Sequence, residues 1–155
     1  MLVPVTIVAF GKIKEAHYAA AVAEYLKRLK PYAKVEVIEL KAESFAEDNH
    51  DKVRRVEAGR LRDFLSGRKQ AEVILLDERG AECASTELSD LWQKAEKEIV
   101  LVIGGSLGFS GEFLAEYKSH LALSRLTLPH ELVRVVVAEQ LYRAATIAIG
   151  KTYHY

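Results

Sequence analysis

Two short segments in the last third of the chain combine residue types suited to holding a ligand through main-chain atoms. The first is Gly104-Gly105-Ser106-Leu107-Gly108, directly after the apolar run Ile99-Val100-Leu101-Val102-Ile103. The second is Leu126-Thr127-Leu128-Pro129-His130-Glu131, which opens a very apolar helix running to about Ile149. Glycines at the end of a buried strand let backbone N–H and C=O groups approach a ligand with no side chain between. The glycine spacing is not the dinucleotide-binding G-x-G-x-x-G pattern, and no Gly-Lys-Ser/Thr follows as in a P-loop. A glycine loop alone also serves as a tight turn. Two irregular segments so close in sequence, each between buried elements, point to a pocket built from main chain.

Angular placement of residues 132–149 at about 100° each puts Glu139, Gln140 and Arg143 on one narrow arc. Almost everything else on the helix is apolar: Val133, Val135–Ala138, Leu141, Ala144, Ala145, Ile147 and Ala148. A helix so apolar around its circumference is buried on more than one side. One side faces its own sheet, and the other is expected to face a second subunit, making a homodimer. Arg134 breaks the pattern, projecting opposite the polar arc among Ala138, Leu141 and Ala145. A guanidinium there must reach water, pair with an acid, or face a polar ligand, because burying it unpaired is costly. A salt bridge, within the protomer or across the interface, is the structural alternative to a ligand-binding role. Arg143 has Glu139 four residues earlier as a ready partner.

These segments must be carried by a scaffold, and strands alternate with helices along the whole chain. Strands are expected at Val3–Phe10, Lys34–Leu40, Glu72–Leu76, Ile99–Ile103 and near His120–Ser124. Helices are expected at about Ala16–Leu29, Asp51–Leu65, from a cap at Ser85 or Thr86 to about Lys97, at Gly111–Tyr117, and from the Pro-His turn to Ile149. Asp77-Glu78-Arg79-Gly80 reads as a turn that ends its strand. Continuous apolar strands between helices indicate an α/β fold, a mostly parallel sheet with helices on both faces. With 155 residues and no visible linker, one domain over residues 1–155 is expected. In such sheets ligands bind beyond the carboxyl ends of the strands. Leu76, Gly104-Gly105 and Ser124–Leu128 all fall at such ends.

Bulk composition narrows the function. Lys and Arg total 22 against 22 Asp and Glu, a formal net charge of zero, which argues against non-specific coating of nucleic acid. A local excess exists in residues 1–34, where Lys12, Lys14, Lys27, Arg28, Lys30 and Lys34 face only Glu15 and Glu24. The lone Cys83 excludes a disulfide framework and a cysteine zinc site; no metal is expected. Val3–Phe10 is too short to span a membrane, so a cytoplasmic protein is expected.

The run Leu126-Thr127-Leu128-Pro129-His130-Glu131-Leu132-Val133-Arg134-Val135, followed by Ala138-Glu139-Gln140-Leu141-Tyr142-Arg143-Ala144, resembles the ribosomal RNA large subunit methyltransferase H family. Ile103–Gly108, Val8–Lys12, Glu24–Arg28 and Tyr153-His154 carry the same resemblance, which extends over essentially the whole chain. It implies the SPOUT class, with a C-terminal trefoil knot whose loops bind S-adenosylmethionine, and a homodimer. The implied reaction is methylation at N3 of a pseudouridine in large-subunit (23S) rRNA on assembled ribosomes. Carried onto this chain, the cofactor site comprises Leu76, Gly104, Gly105, Leu123, Ser124, Arg125, Leu126, Thr127 and Leu128. The leucines supply apolar walls for an adenine, and the exposed main chain supplies hydrogen bonds.

N3 of the acceptor carries a proton that must leave, which calls for a base or for stabilisation of the deprotonated ring. His154, near the C-terminal end and able to reach a partner's pocket, is a candidate base. Arg134, Tyr142 and Arg143 are candidates for holding phosphate or the target base. Leu107 stands where the family pattern has a polar residue, and Tyr155 replaces a basic one. The alternatives are a SPOUT methyltransferase with another RNA target and a non-catalytic ribosome-binding factor.

Overall fold

The strands form one five-stranded, all-parallel sheet. The computed structural model describes residues 1–155. In chain order the elements are β1 (Val5–Phe10), α1 (Ala16–Leu29), β2 (Val35–Leu40), α2 (His50–Ser66), β3 (Glu72–Glu82), α3 (Ser85–Lys94), β4 (Ile99–Ile103), α4 (Gly111–Ala115), β5 (His120–Ala122) and α5 (His130–Ala148). The sheet order is β2-β1-β4-β3-β5, with Val5 beside both Val35 and Ile99, and Glu72 beside Ile99. Because every pair is parallel, all carboxyl ends of the strands lie along one edge. The α/β class expected from the alternation is present.

The central strands β1 and β4 are buried at every position, and their side chains alternate between two cores as the pleat requires. On one face Val5, Ile7, Ala9, Ile99, Leu101 and Ile103 pack with Leu29 of α1, Trp92 of α3, and Val137 and Leu141 of α5. On the other face Val8, Phe10, Val100 and Val102 pack with Leu61 and Leu65 of α2 and Phe113 of α4. Burial on both faces explains why these strands read as unbroken apolar runs. No helix is long and apolar enough to cross a membrane.

Two local expectations are corrected. The third strand does not end at Leu76 but continues to Glu82, so Asp77–Gly80 is not a terminating turn. Leu76 and Ala81 both register against Leu121, so the four residues between them bulge out of the ladder. Asp77 shapes the bulge: its Oδ1 accepts the Arg79 backbone N–H and Nε, each at 2.9 Å, and Oδ2 accepts Nη2 at 2.9 Å. The Arg79 guanidinium holds the Asp77 carboxyl below the usual carboxylate range. The second correction concerns α3. Its cap residue is Ala84, not Ser85 or Thr86, and the Glu87 carboxylate accepts the Ala84 N–H at 2.6 Å. Ser85 instead donates to Gln140 Oε1 on α5 at 2.6 Å.

Gly80 is required by close approach. A Cβ at this position would lie 2.7 Å from the carbonyl carbon of His120 and 2.8 Å from the Leu121 nitrogen. Both are backbone atoms of β5 that cannot rotate away. Gly80→Ala is therefore expected to cost about 1–3 kcal/mol, the range for overpacking a tight site, read as a lowered midpoint in urea unfolding with unchanged secondary structure in circular dichroism.

Candidate functional site

An open cleft of roughly 1140 Å3 lies beyond the carboxyl ends of β3, β4 and β5. Small-molecule pockets are ~300–1,000 Å3, so the cleft exceeds the needs of one drug-sized ligand. It draws its walls from the three segments expected at strand carboxyl ends. Leu76 and Asp77–Arg79 come from β3 and its bulge, Gly104–Gly108 from the glycine loop, and Leu123, Ser124 and Leu126–His130 from the segment entering α5. Asp51, Arg54 and Arg55 of α2 close the remaining side. Leu126 is 74% exposed at the mouth, an apolar side chain with no protein partner to cover it. Arg125 is the exception among the expected cofactor residues: it is absent from the lining and instead pairs with Glu82 at 2.9 Å.

The glycine loop is tightly wound. Gly108 donates its N–H to the Gly105 carbonyl at 2.9 Å and has φ +72°, the left-handed region that favours glycine. Helix α2 holds the loop from one side, with Arg54 Nε donating to the Leu107 carbonyl at 3.0 Å. One turn further along α2, the buried Glu57 carboxyl packs directly beneath Gly105, and a methyl group at Gly105 would collide with both of its oxygens. Burial pushes the Glu57 carboxyl above its ordinary range. Glu57 was not among the expected site residues. Its signal was present nonetheless: it falls on the same i, i+4 stripe as Val53, Leu61 and Leu65, where an acid is out of place.

The Pro-His turn is anchored by its neighbours. Pro129 caps α5 with φ −56°. Glu131, in the first turn, accepts the backbone N–H groups of Lys14 at 2.7 Å and Glu15 at 3.2 Å, and these bonds hold its carboxyl below the usual range. Arg134 is 2% exposed and is engaged within the protomer. Its Nη1 donates to Glu39 Oε2 of β2 at 2.6 Å, and its Nη2 donates to the carbonyls of Phe10 at 3.0 Å and of Gly11. Of the roles open to Arg134, the structure places it in the salt bridge, and inside the chain. It does not line the cleft.

Tyr142 and His154 lie away from their own protomer's cleft. From His130 to Tyr142 the helix rises about 18 Å at ~1.5 Å per residue. Tyr142 packs edge-on against Tyr153 with ring centres 4.7 Å apart, and beside Tyr25 and Tyr32. Arg143 pairs with Glu139 at 2.6 Å, as the i, i+4 spacing anticipated, and approaches His154 Nδ1 at 3.2 Å. Tyr153 donates to Glu139 at 3.1 Å; burial, with hydrogen bonding to Tyr25 and Glu139, pushes its hydroxyl up to about 12. These side chains form one polar-aromatic cluster at the far end of α5.

Comparison with known proteins matches residues 3–154 to the family model described as "Predicted SPOUT methyltransferase". A ribosomal RNA large subunit methyltransferase H from Pelotomaculum thermopropionicum is 38% identical, with 97% of this chain and 98% of the relative covered. One from Bacillus thuringiensis is 40% identical with the same coverage. The chain belongs to the SPOUT methyltransferase family. The fold agrees: a Bacillus anthracis structure described as an RNA methyltransferase superposes with TM-score 0.60 at 16% identity, covering 92% of this chain and 94% of that one. A Legionella pneumophila methyltransferase structure, solved with bound SAM, superposes with TM-score 0.55 at 15% identity, covering 92% and 66%. In this SPOUT protein Arg134 ties α5, and with it the Pro-His turn that walls the cleft, to the sheet. Breaking a buried pair typically costs about 3–5 kcal/mol, because it strands the partner charge. Glu39 is 37% exposed, so water relieves part of that cost. Arg134→Ala is expected to lose about 3 kcal/mol, measured by urea denaturation.

Proposed function

We propose that this chain is a single-domain, S-adenosylmethionine-dependent methyltransferase acting at N3 of a pseudouridine in 23S rRNA, on assembled ribosomes in the cytoplasm. The observation that carries the reading is the cleft in which Leu76, the glycine loop, Leu123, Ser124 and Leu126–Leu128 converge. Apolar walls from Leu76, Leu123, Leu126 and Leu128 suit an adenine, and the uncovered backbone of Gly104-Gly105 suits its polar edge and the ribose. S-adenosylmethionine supplies an electrophilic methyl group when bound. The chain's own task is then to align donor and acceptor for in-line transfer, and the cleft leaves room for both.

In this reading the acceptor side is completed by a second copy of the chain. Tyr142, Arg143 and His154 are gathered in one cluster but face away from their own cleft, as residues destined for a partner's cleft would. Leu132, Val135, Val136 and Ile147 on α5 keep part of their apolar surface uncovered, and a homodimer covers it. His154 serves as base or orienting group for the N3 proton, with Arg143 holding phosphate. Arg134 acts indirectly, by fixing α5. The C-terminal trefoil knot belongs to the same proposal. A chain of zero net charge gains little affinity from long RNA through charge alone, which favours a folded ribosomal target recognised by shape.

Transfer of radiolabelled methyl groups from S-adenosylmethionine is expected to large subunits or ribosomes lacking the modification, and not to free rRNA. Transfer to free rRNA alone would point to another RNA-directed activity, and cofactor binding without transfer to a non-catalytic ribosome-binding role. Mixing inactive Gly105→Val protomers with inactive His154→Ala protomers is expected to restore activity, because one dimer site then combines an intact cleft with an intact tail. No recovery after subunit exchange would contradict the shared site.

A further inference from the structure

The feature that the proposed chemistry leaves unexplained is Glu57. It is 4% exposed, sits on the apolar stripe of α2, and its Oε1 has no hydrogen-bond partner. Oε2 accepts the Glu43 N–H at 3.2 Å. An unsatisfied carboxyl oxygen in a protein interior is costly, and neither the helix nor the core requires an acid here. What Oε1 faces is Gly105, at the centre of the loop that walls the cleft.

We propose that Glu57 is a positioning residue for the cofactor loop: Oε1 is the acceptor that takes a backbone N–H of the Gly105-Ser106 segment when S-adenosylmethionine orders it. The inference rests on the reading of the cleft as a cofactor pocket. Together with Arg54, which grips the Leu107 carbonyl from the preceding turn, Glu57 makes α2 a two-point clamp on the loop. The base of the clamp is braced. Arg60, one turn on, donates to the Lys41 carbonyl at 2.9 Å and to Glu43 Oε2 at 2.8 Å, which fixes the segment that supplies the Glu43 N–H. Glycine at position 105 is then needed because any side chain would occupy the contact between loop and carboxyl.

The charged groups facing Glu57 are Arg60 on its own helix, which favours the carboxylate, and Glu43 on the segment after β2, which opposes it. The glycine loop contributes none. Burial raises the carboxyl in the free protein, whereas an N–H donated to Oε1 would lower it in the complex. Proton release on cofactor binding is therefore confined to acid pH around the raised range of this carboxyl, and affinity weakens as pH falls through that range. Glutamine keeps the shape and the acceptor but cannot titrate.

Two measurements on the full chain test the clamp: calorimetric titration with S-adenosylmethionine across pH, and hydrogen exchange of the 105–108 amides with and without cofactor. Glu57→Ala is expected to lose the slowing of loop exchange that cofactor brings and to weaken binding by about tenfold or more, the scale of a lost hydrogen bond to a charged group. Glu57→Gln is expected to bind nearly as wild type at neutral pH and to lose the weakening on acidification. Gly105→Ala is expected to abolish binding, and adding Glu57→Ala to it to restore affinity to the level of Glu57→Ala alone. Wild-type exchange and affinity in Glu57→Ala, or a double variant no better than Gly105→Ala, would overturn the clamp. A wild-type chain that binds no cofactor would instead overturn the pocket reading on which the clamp rests.

Discussion

The guanidinium of Arg134 ties three elements together at the point where the cleft begins. Its donors reach Glu39 on β2 and the carbonyls of Phe10 and Gly11 at the end of β1, from the second turn of α5. A planar fork of donors on one side chain can satisfy a carboxylate and two strand-end carbonyls at once; a lysine ammonium offers neither the span nor the geometry. With α5 pinned in this way, the Pro129-His130 turn is held over the strand ends. Glu131 reinforces the position by capping the backbone at Lys14 and Glu15. The cleft wall made by Leu126–His130 inherits its place from these contacts.

The opposite wall is set from the other side of the sheet. α5 packs with α1 and α3 on one face, while α2 and α4 cover the second. The glycine loop leaves the central strand β4 and is gripped from α2, so the cleft is a seam where both layers meet beyond the strand ends. That arrangement explains why the site needs glycine at 105 and at 80. In one case a carboxyl group, in the other a strand backbone, lies where a side chain would go. Both contacts trade side-chain volume for a fixed backbone path around the cleft.

Much of this was legible in the residue pattern. The doubly buried strands announced themselves as apolar runs, α1 was found with its observed bounds, and two loops of unusual composition marked the cleft. Arg134 stood out by angle alone as a charge on an apolar face. Its partner did not, because Glu39 lies 95 residues earlier, and no local pattern links an acid on a half-exposed strand to a distant helix. The continuation of β3 past Asp77–Gly80 was hidden for a similar reason: the bulge exists only because β5 accepts both of its flanks. Glu57 was visible as a polar intrusion on a helical stripe, but a helix rich in charge masked it. The Arg125 side chain turns to Glu82 rather than into the cleft, a direction that sequence adjacency to cleft residues does not decide.

In the proposed function one cleft, formed by Leu76, Gly104-Gly105, Leu123, Ser124 and Leu126–Leu128, receives the methyl donor. Titration of the isotope-labelled protein with S-adenosylmethionine, followed by amide chemical shifts, locates the donor on the chain. The predicted result is a set of perturbations centred on these residues and on Ser106–Gly108, with the β2 edge of the sheet unaffected. Perturbations centred on another surface, or none at saturating cofactor, would contradict it.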